Sequence, residues 1–365
     1  MAENFHLKNM RHLFTLIFFT ASLSFLHAQD HQLRPLADTI GFAHTAVQMD
    51  SIIKRLARMF PETKTSSKEN MKVIISPHDD YTYVSNLYPL ALSKIKAPIV
   101  ILIGVAHKAR TMGIENKMIF DSYTHWRGPY REVTVSPIRE DIIAQLPKGS
   151  FEINDSLQKV EHSVEAIVPF LQYYNPQVQI VSILAPAMSY ERMDTLSTYL
   201  ATSLQKAAVK NKLQWGKDIV IVISNDAVHY GDEGWNGRNF ARYGADSAGY
   251  LKACEFEKKL MRECLEENMD KEKVRQFTKY TVKEENFRKY QWTWCGRYSI
   301  PFGLLTAIHW QKVISSSPLK GTLLGYSNSM RTTHVKVDDL GMGVTAPFNI
   351  RHWVGYAVLE YSDNK

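Results

Sequence analysis

The sequence predicts an α/β protein with a central, mostly parallel sheet flanked by helices. Four short runs of aliphatic and β-branched residues are apolar at nearly every position, and helical stretches separate them. Three of the four runs also end in a cluster of polar, titratable residues. Continuous apolar strands are buried on both faces, which is the condition of a parallel sheet covered by helices.

The chain opens with Lys8, Arg11 and His12, then an apolar run from Leu13 to Phe25 and small residues around Ala28. This is the pattern of a secretory signal peptide over residues 1–28, with the mature chain, 29–365, read as one domain. An exported protein, periplasmic or secreted, is the expectation. The run is shorter than the roughly 20 residues of a membrane-spanning helix, and no later segment is apolar enough to span. Gln29 to Leu36 reads as a tail, and a helical pattern follows up to Phe60.

The first predicted strand, Lys72 to Ser76, ends at Pro77-His78-Asp79-Asp80; the second, Pro98 to Gly104, ends near His107. A third covers Gln179 to Leu184, and a fourth, Asp218 to Ser224, ends at Asn225-Asp226 with His229 close behind. Between them, Tyr88 to Ile95, Val164 to Tyr174 and Met193 to Lys210 have helical periodicity. Glu255 to Lys289 is charged and helical and reads as a surface excursion. Thr322 to Tyr326 and His352 to Leu359 return to β character. No repeat or low-complexity linker interrupts the chain.

The composition suits a globular protein of 365 residues, 45% hydrophobic and 22% charged. Removing Lys8, Arg11 and Glu3 with the leader lowers the formal charge from +7 to +6. The basic residues are dispersed among acids, so a nucleic-acid partner is not expected. Cys254, Cys264 and Cys295 are the only cysteines. The first two are ten residues apart in one predicted helix, roughly 15 Å at helical rise and too far to bond.

Parallel strands carry their carboxyl ends to one edge of a sheet, where ligands of open α/β folds bind. That edge would gather His78, His107, Asp226 and His229. A lone histidine after a strand is commonly a loop residue; three polar clusters in register point to a site. Cys295 lies before Gly296 and Arg297, in a turn that leads into a helix. A buried apolar cysteine is the commoner role of such a residue. The chemical alternative is a thiolate ligand, favoured by the nearby helix start and Arg297. Glu161-His162-Ser163-Val164-Glu165 reads either as a helix start, capped by His162 or Ser163, or as outer groups orienting a metal site.

Taken in order, these segments resemble the Memo-like family. Pro77-His-Asp-Asp-Tyr-Thr-Tyr83 is similar to its Pro-His-Ala-Gly-Tyr-x-Tyr segment, and Ile103-Gly-Val-Ala-His107 to its Leu-Gly-Pro-Ser-His segment. Glu161 to Glu165 matches its Glu-His-Ser-x-Glu block, and Ser224 to Tyr230 its Ser-Ser-Asp-Phe-x-His-Tyr block. Cys295-Gly296 matches a Cys-Gly step, and Tyr356-Ala357 a C-terminal Tyr-Ala pattern. Bacterial members are named AmmeMemoRadiSam system protein B. The resemblance implies a fold shared with class III extradiol dioxygenases and a metal held by His78, His107 and Cys295. Iron(II) is the expected ion, with copper or zinc as alternatives. It also implies His229 as acid–base group, with Asp226 or Glu165 orienting it. The expected function is a dioxygenase-like redox enzyme acting on an unidentified small molecule. The alternative is a non-catalytic holder of iron or copper, or a peptide-binding module. Asp79-Asp80 departs from the family's Ala-Gly, and Lys108 stands where many relatives carry a second histidine.

Overall fold

Strand formation follows the apolar runs closely in the computed structural model, which describes residues 31–60, 71–84, 86–331 and 333–364. The four runs become the strands Met71–Ser76, Ile99–Val105, Gln179–Ala185 and Ile219–Ser224. Every residue of these strands is buried except Gln179. Their side chains alternate between two cores, as a period of two requires. Ile75, Ile101, Ile103, Ile221 and Ile223 face one core. Ile74, Val100, Leu102, Val220 and Val222 face the other.

The four strands lie side by side and parallel, in the order Met71–Ser76, Ile219–Ser224, Ile99–Val105, Gln179–Ala185. Antiparallel strands extend this centre on both sides, so the whole sheet is mixed. His352–Asp363 pairs with Met71–Ser76, then Leu319–Asn328 and Glu267–Asn268 follow. On the other side Met118–Phe120 pairs antiparallel with Gln179–Ala185 and parallel with Phe151–Ile153. The predicted fold class holds, with antiparallel flanks added to the parallel centre.

Helices cover both faces. Tyr190–Lys210 and Ser299–Ile314 pack on one. Gly303 permits the second of these to approach closely, since a Cβ there would lie 2.5 Å from Ile223 Cδ1. Ala46–Met59, Tyr88–Leu92 and Val168–Tyr174 cover the other face. Ala46–Met59 starts in a capping box, with the Thr45 side chain accepting from the Gln48 amide and Gln48 reaching back to Thr45 N–H.

Two local expectations are corrected. The segment read as a charged surface excursion is two helices, Ser247–Cys264 and Lys271–Thr281, whose Leu260, Met261, Val274 and Phe277 are fully buried in the first core. Its charges occupy the outer faces, apart from the buried Glu257. The segment read as a tail contains Leu33–Arg34, which pairs in parallel with His125–Trp126. His31 to Lys365 forms one compact unit. The expected signal peptide, residues 1–28, lies outside the described residues. Among the described residues no helix is long and apolar enough to cross a membrane.

Candidate metal centre

The strand order explains why distant residues meet. His78 follows Met71–Ser76, Asp226 follows Ile219–Ser224 and His107 follows Ile99–Val105, three neighbouring parallel strands that end on one edge. Cys295 reaches the same edge on the turn before Ser299–Ile314. Its amide donates to the Ala227 carbonyl at 3.1 Å, and Gly296 N–H donates to Asn225 Oδ1 at 3.0 Å. A Cβ on residue 296 would stand 2.0 Å from Asn225 Oδ1, so only glycine lets the turn sit this close.

The ligand atoms of His78, His107 and Cys295 lie within 4.8 Å of one another. Cys295 Sγ is 3.1 Å from His107 Nε2 and 3.6 Å from His78 Nε2. Ligand bonds of about 2.0 Å to nitrogen and 2.3 Å to sulfur at a tetrahedral ion place N and S about 3.5 Å apart. The observed spacing therefore suits one shared ion.

Hydrogen bonds fix which ring nitrogen faces the sulfur. Ser224 Oγ donates its only proton to the Ser163 carbonyl at 2.6 Å and must accept from His78 Nδ1–H at 2.8 Å. Glu161 accepts from His107 Nδ1–H at 2.8 Å. Both rings thus point Nδ1–H at a hydrogen-bond partner and turn Nε2 toward the sulfur, the orientation that metal-bound histidines have. Glu161 is fully buried and also accepts from the His107 and Ser163 amides. Burial alone would raise its carboxyl, but His107 outweighs that and lowers it to about 2. For His107, burial lowers the imidazole and is overcome by Glu161 and Cys295, which raise it well above the usual range.

Burial pushes the Cys295 thiol up, with His107 opposing. The group that opposes burial at the sulfur is therefore the His107 ring. Arg297, expected in that role, lays its guanidinium over the rings of Tyr290 and Tyr298, 3.4 and 4.6 Å from their centroids. All three cysteines are free.

A cleft of about 340 Å³ opens at His78 and His107, walled also by Phe42, Asp79, Asp80, His162, His229 and Trp235. The His229 Nε2 is buried without a hydrogen-bond partner. Burial, followed by His107, lowers this imidazole to about 3, so it is neutral at pH 7. Asp226 Oδ1 accepts from the His78 amide at 2.9 Å, and Oδ2 is 3.4 Å from His78 Nε2. Asp79 accepts from the Tyr356 hydroxyl at 2.6 Å, and Asp80 from the Thr345 amide at 2.5 Å. Burial, then the charge of Asp79, raises Asp80 to about 7.

Glu165 does not orient His229. Its carboxylate pairs with the buried Arg34 and accepts from the Ala37 and Asp38 amides. Asp226 spends its hydrogen bond on the His78 backbone, so neither expected carboxylate holds the His229 ring. Glu161, at the other end of the same five-residue block, instead fixes the His107 ring. His162, read as a possible cap, instead stacks on His107 with centroids 4.6 Å apart and faces the cleft. The signal for both was in the Glu-His-Ser-x-Glu block, but which of its acids points to the metal edge is settled only by tertiary contacts.

A family model described as Memo-like protein matches residues 43–343. The chain belongs to the Memo-like family. Among curated relatives, a MEMO1 family protein of Sulfurisphaera tokodaii is 30% identical over 171 residues, covering 45% of this chain and 55% of the relative. One from Saccharolobus islandicus is 27% identical over 176 residues, covering 46% of this chain and 57% of the relative. One from Pyrococcus horikoshii is 22% identical over 188 residues, with 50% and 61% covered. The matched segments span little more than half the length of these relatives.

Proposed function

We propose that this Memo-like protein holds one transition-metal ion at His78, His107 and Cys295 and uses it in dioxygenase-like redox chemistry on a small molecule. The observation that carries the reading is the pair of imidazoles, each locked with Nε2 toward the Cys295 sulfur. Two imidazoles and a thiolate suit iron, copper or zinc and are poor ligands for magnesium or calcium. Three protein ligands leave positions open for substrate, and the resemblance to dioxygenase-like proteins makes iron(II) the first assignment. Such an ion supplies Lewis acidity and one-electron chemistry when bound.

The chain's own groups divide the remaining work. Phe42 and Trp235 wall the cleft with apolar surface. His229, with an unpartnered Nε2 at the cleft wall, is the group placed to exchange a proton with a molecule bound there. Asp226 and Glu161 hold the His78 and His107 segments in place. The leader pattern supports export, which sets this chemistry in the periplasm or outside the cell.

A second reading, a holder of redox metal without turnover, is favoured by the sulfur ligand. Thiolate sulfur beside iron and dioxygen is open to oxidation. Elemental analysis of anaerobically purified protein tests the shared premise: near-stoichiometric iron or copper in wild type, lost in Cys295→Ala. A protein that takes up neither iron, copper nor zinc overturns both readings and leaves a peptide-binding cleft. His229→Ala then separates the two. The enzyme keeps its metal but loses dioxygen consumption with catechol-type and small reductant probes, whereas a holder is unchanged.

A further inference from the structure

A second set of side chains able to hold a metal lies along the small three-stranded sheet. His31 precedes Leu33–Arg34, His125 begins His125–Trp126, and Glu132 precedes Val133–Thr134. Their ligand atoms lie within 4.8 Å of one another although they come from three separate segments. His31 Nε2 is 2.7 Å from Glu132 Oε2, and the His31 and His125 rings stack with centroids 4.9 Å apart. The His31 and Glu132 side chains are 56% and 43% exposed, so an ion reaches them directly from solvent.

Thr124 ties His125 to the first of the three segments. Its hydroxyl accepts from Gln32 N–H at 2.9 Å and lies 3.2 Å from the Gln32 carbonyl. The same hydroxyl is 3.0 Å from His125 Nδ1, so Nδ1 is engaged and Nε2 is the ring nitrogen left for a ligand bond. An ordinary His–Glu hydrogen bond accounts for His31 and Glu132. It does not account for a second imidazole stacked on the first, with a ligand nitrogen inside the same 4.8 Å cluster.

We propose that His31, His125 and Glu132 form a surface site for a borderline divalent cation, zinc or copper(II), separate from the Cys295 centre. Two imidazoles and a carboxylate are a donor set for these ions, and water completes the shell. Binding releases the proton that His31 shares with Glu132. The ion fastens the segment that carries Arg34, whose guanidinium donates to the Glu161 carbonyl at 2.6 Å. Occupancy therefore braces the backbone beneath the His107 partner.

The test is calorimetric titration of tag-free, metal-stripped protein with zinc chloride. The Cys295→Ala background removes the cleft ligand, so the surface equivalent is read whether or not the cleft binds metal. That background should still bind one equivalent of zinc. Adding His125→Ala should abolish it, and adding Glu132→Gln should weaken it while circular dichroism stays unchanged. No zinc uptake in the Cys295→Ala background, or uptake unaffected by either added substitution, overturns the proposal.

Discussion

Replacing Glu161 with glutamine removes the charge behind His107 while changing almost no volume. The carboxylate serves three donors: Oε2 takes the His107 amide at 2.7 Å, and Oε1 takes His107 Nδ1–H at 2.8 Å and the Ser163 amide at 2.9 Å. Glutamine has one acceptor and cannot serve all three. With its oxygen at the Oε1 position, its NH2 meets the His107 amide donor to donor. Turned round, its NH2 faces His107 Nδ1 and forces the ring proton onto Nε2, against Cys295. Either arrangement leaves a buried donor unsatisfied, at about 1–3 kcal/mol. Loss of such a partner weakens metal binding by roughly 10–100-fold, or about 1.4–2.8 kcal/mol. The acid limb should change as well. The Glu161 carboxyl falls from 4.5 to about 2 in the folded protein, worth roughly 3 kcal/mol. A depressed carboxyl stabilises the fold above its unfolded value and loses that contribution as pH falls from about 4.5 through 2. The assay is a competitive zinc titration against a chromophoric chelator at pH 7, with thermal melts from pH 7 down to pH 3. An unchanged affinity together with an unchanged acid limb would refute the assignment of Glu161 as the group that sets the His107 ring.

Gly296→Ala should lose metal while keeping all three ligands, because its Cβ would fall 2.0 Å from Asn225 Oδ1 and drive the Cys295 turn outward. The strain should cost about 1–3 kcal/mol, readable as a lower melting temperature beside a lower metal content. Glu257 is buried with Trp292, Trp294 and Val228 N–H groups on its carboxylate, and burial pushes it up to about 7. A raised carboxyl gives stability that is complete below the unfolded value near 4.5 and is lost as pH rises through 7. Melting temperature should therefore decline across that window, and Glu257→Gln should flatten the decline. His78→Ala should lose the cleft metal as Cys295→Ala does, yet leave thiol reactivity of Cys254 and Cys264 unchanged, since neither touches the centre.

The parallel centre of the sheet was legible because local chemistry suffices for it. A strand covered on both faces must be apolar at nearly every position, and the runs ending at Ser76, Gly104, Leu184 and Ser224 come close to that within six or seven residues. Parallel pairing then sends His78, His107 and Asp226 to one edge whatever the strand order, and the matching blocks supplied Cys295. Tertiary structure decided what depends on partners far along the chain. Only the placement of Ile219–Ser224 between the other two strands puts Ser224 under the His78 ring. Glu161 and Glu165 are equivalent in composition and lie four residues apart. Arg34, 131 residues from Glu165, claims one and leaves the other to His107. The same holds for the charged stretch after Glu255, whose buried face is defined by the helix it packs on rather than by its own polarity. Periodicity reports which face of an element is apolar. It carries no record of which distant carboxylate, guanidinium or hydroxyl will meet a given side chain, and at this centre those meetings turn the Nε2 atoms of two histidines toward one sulfur.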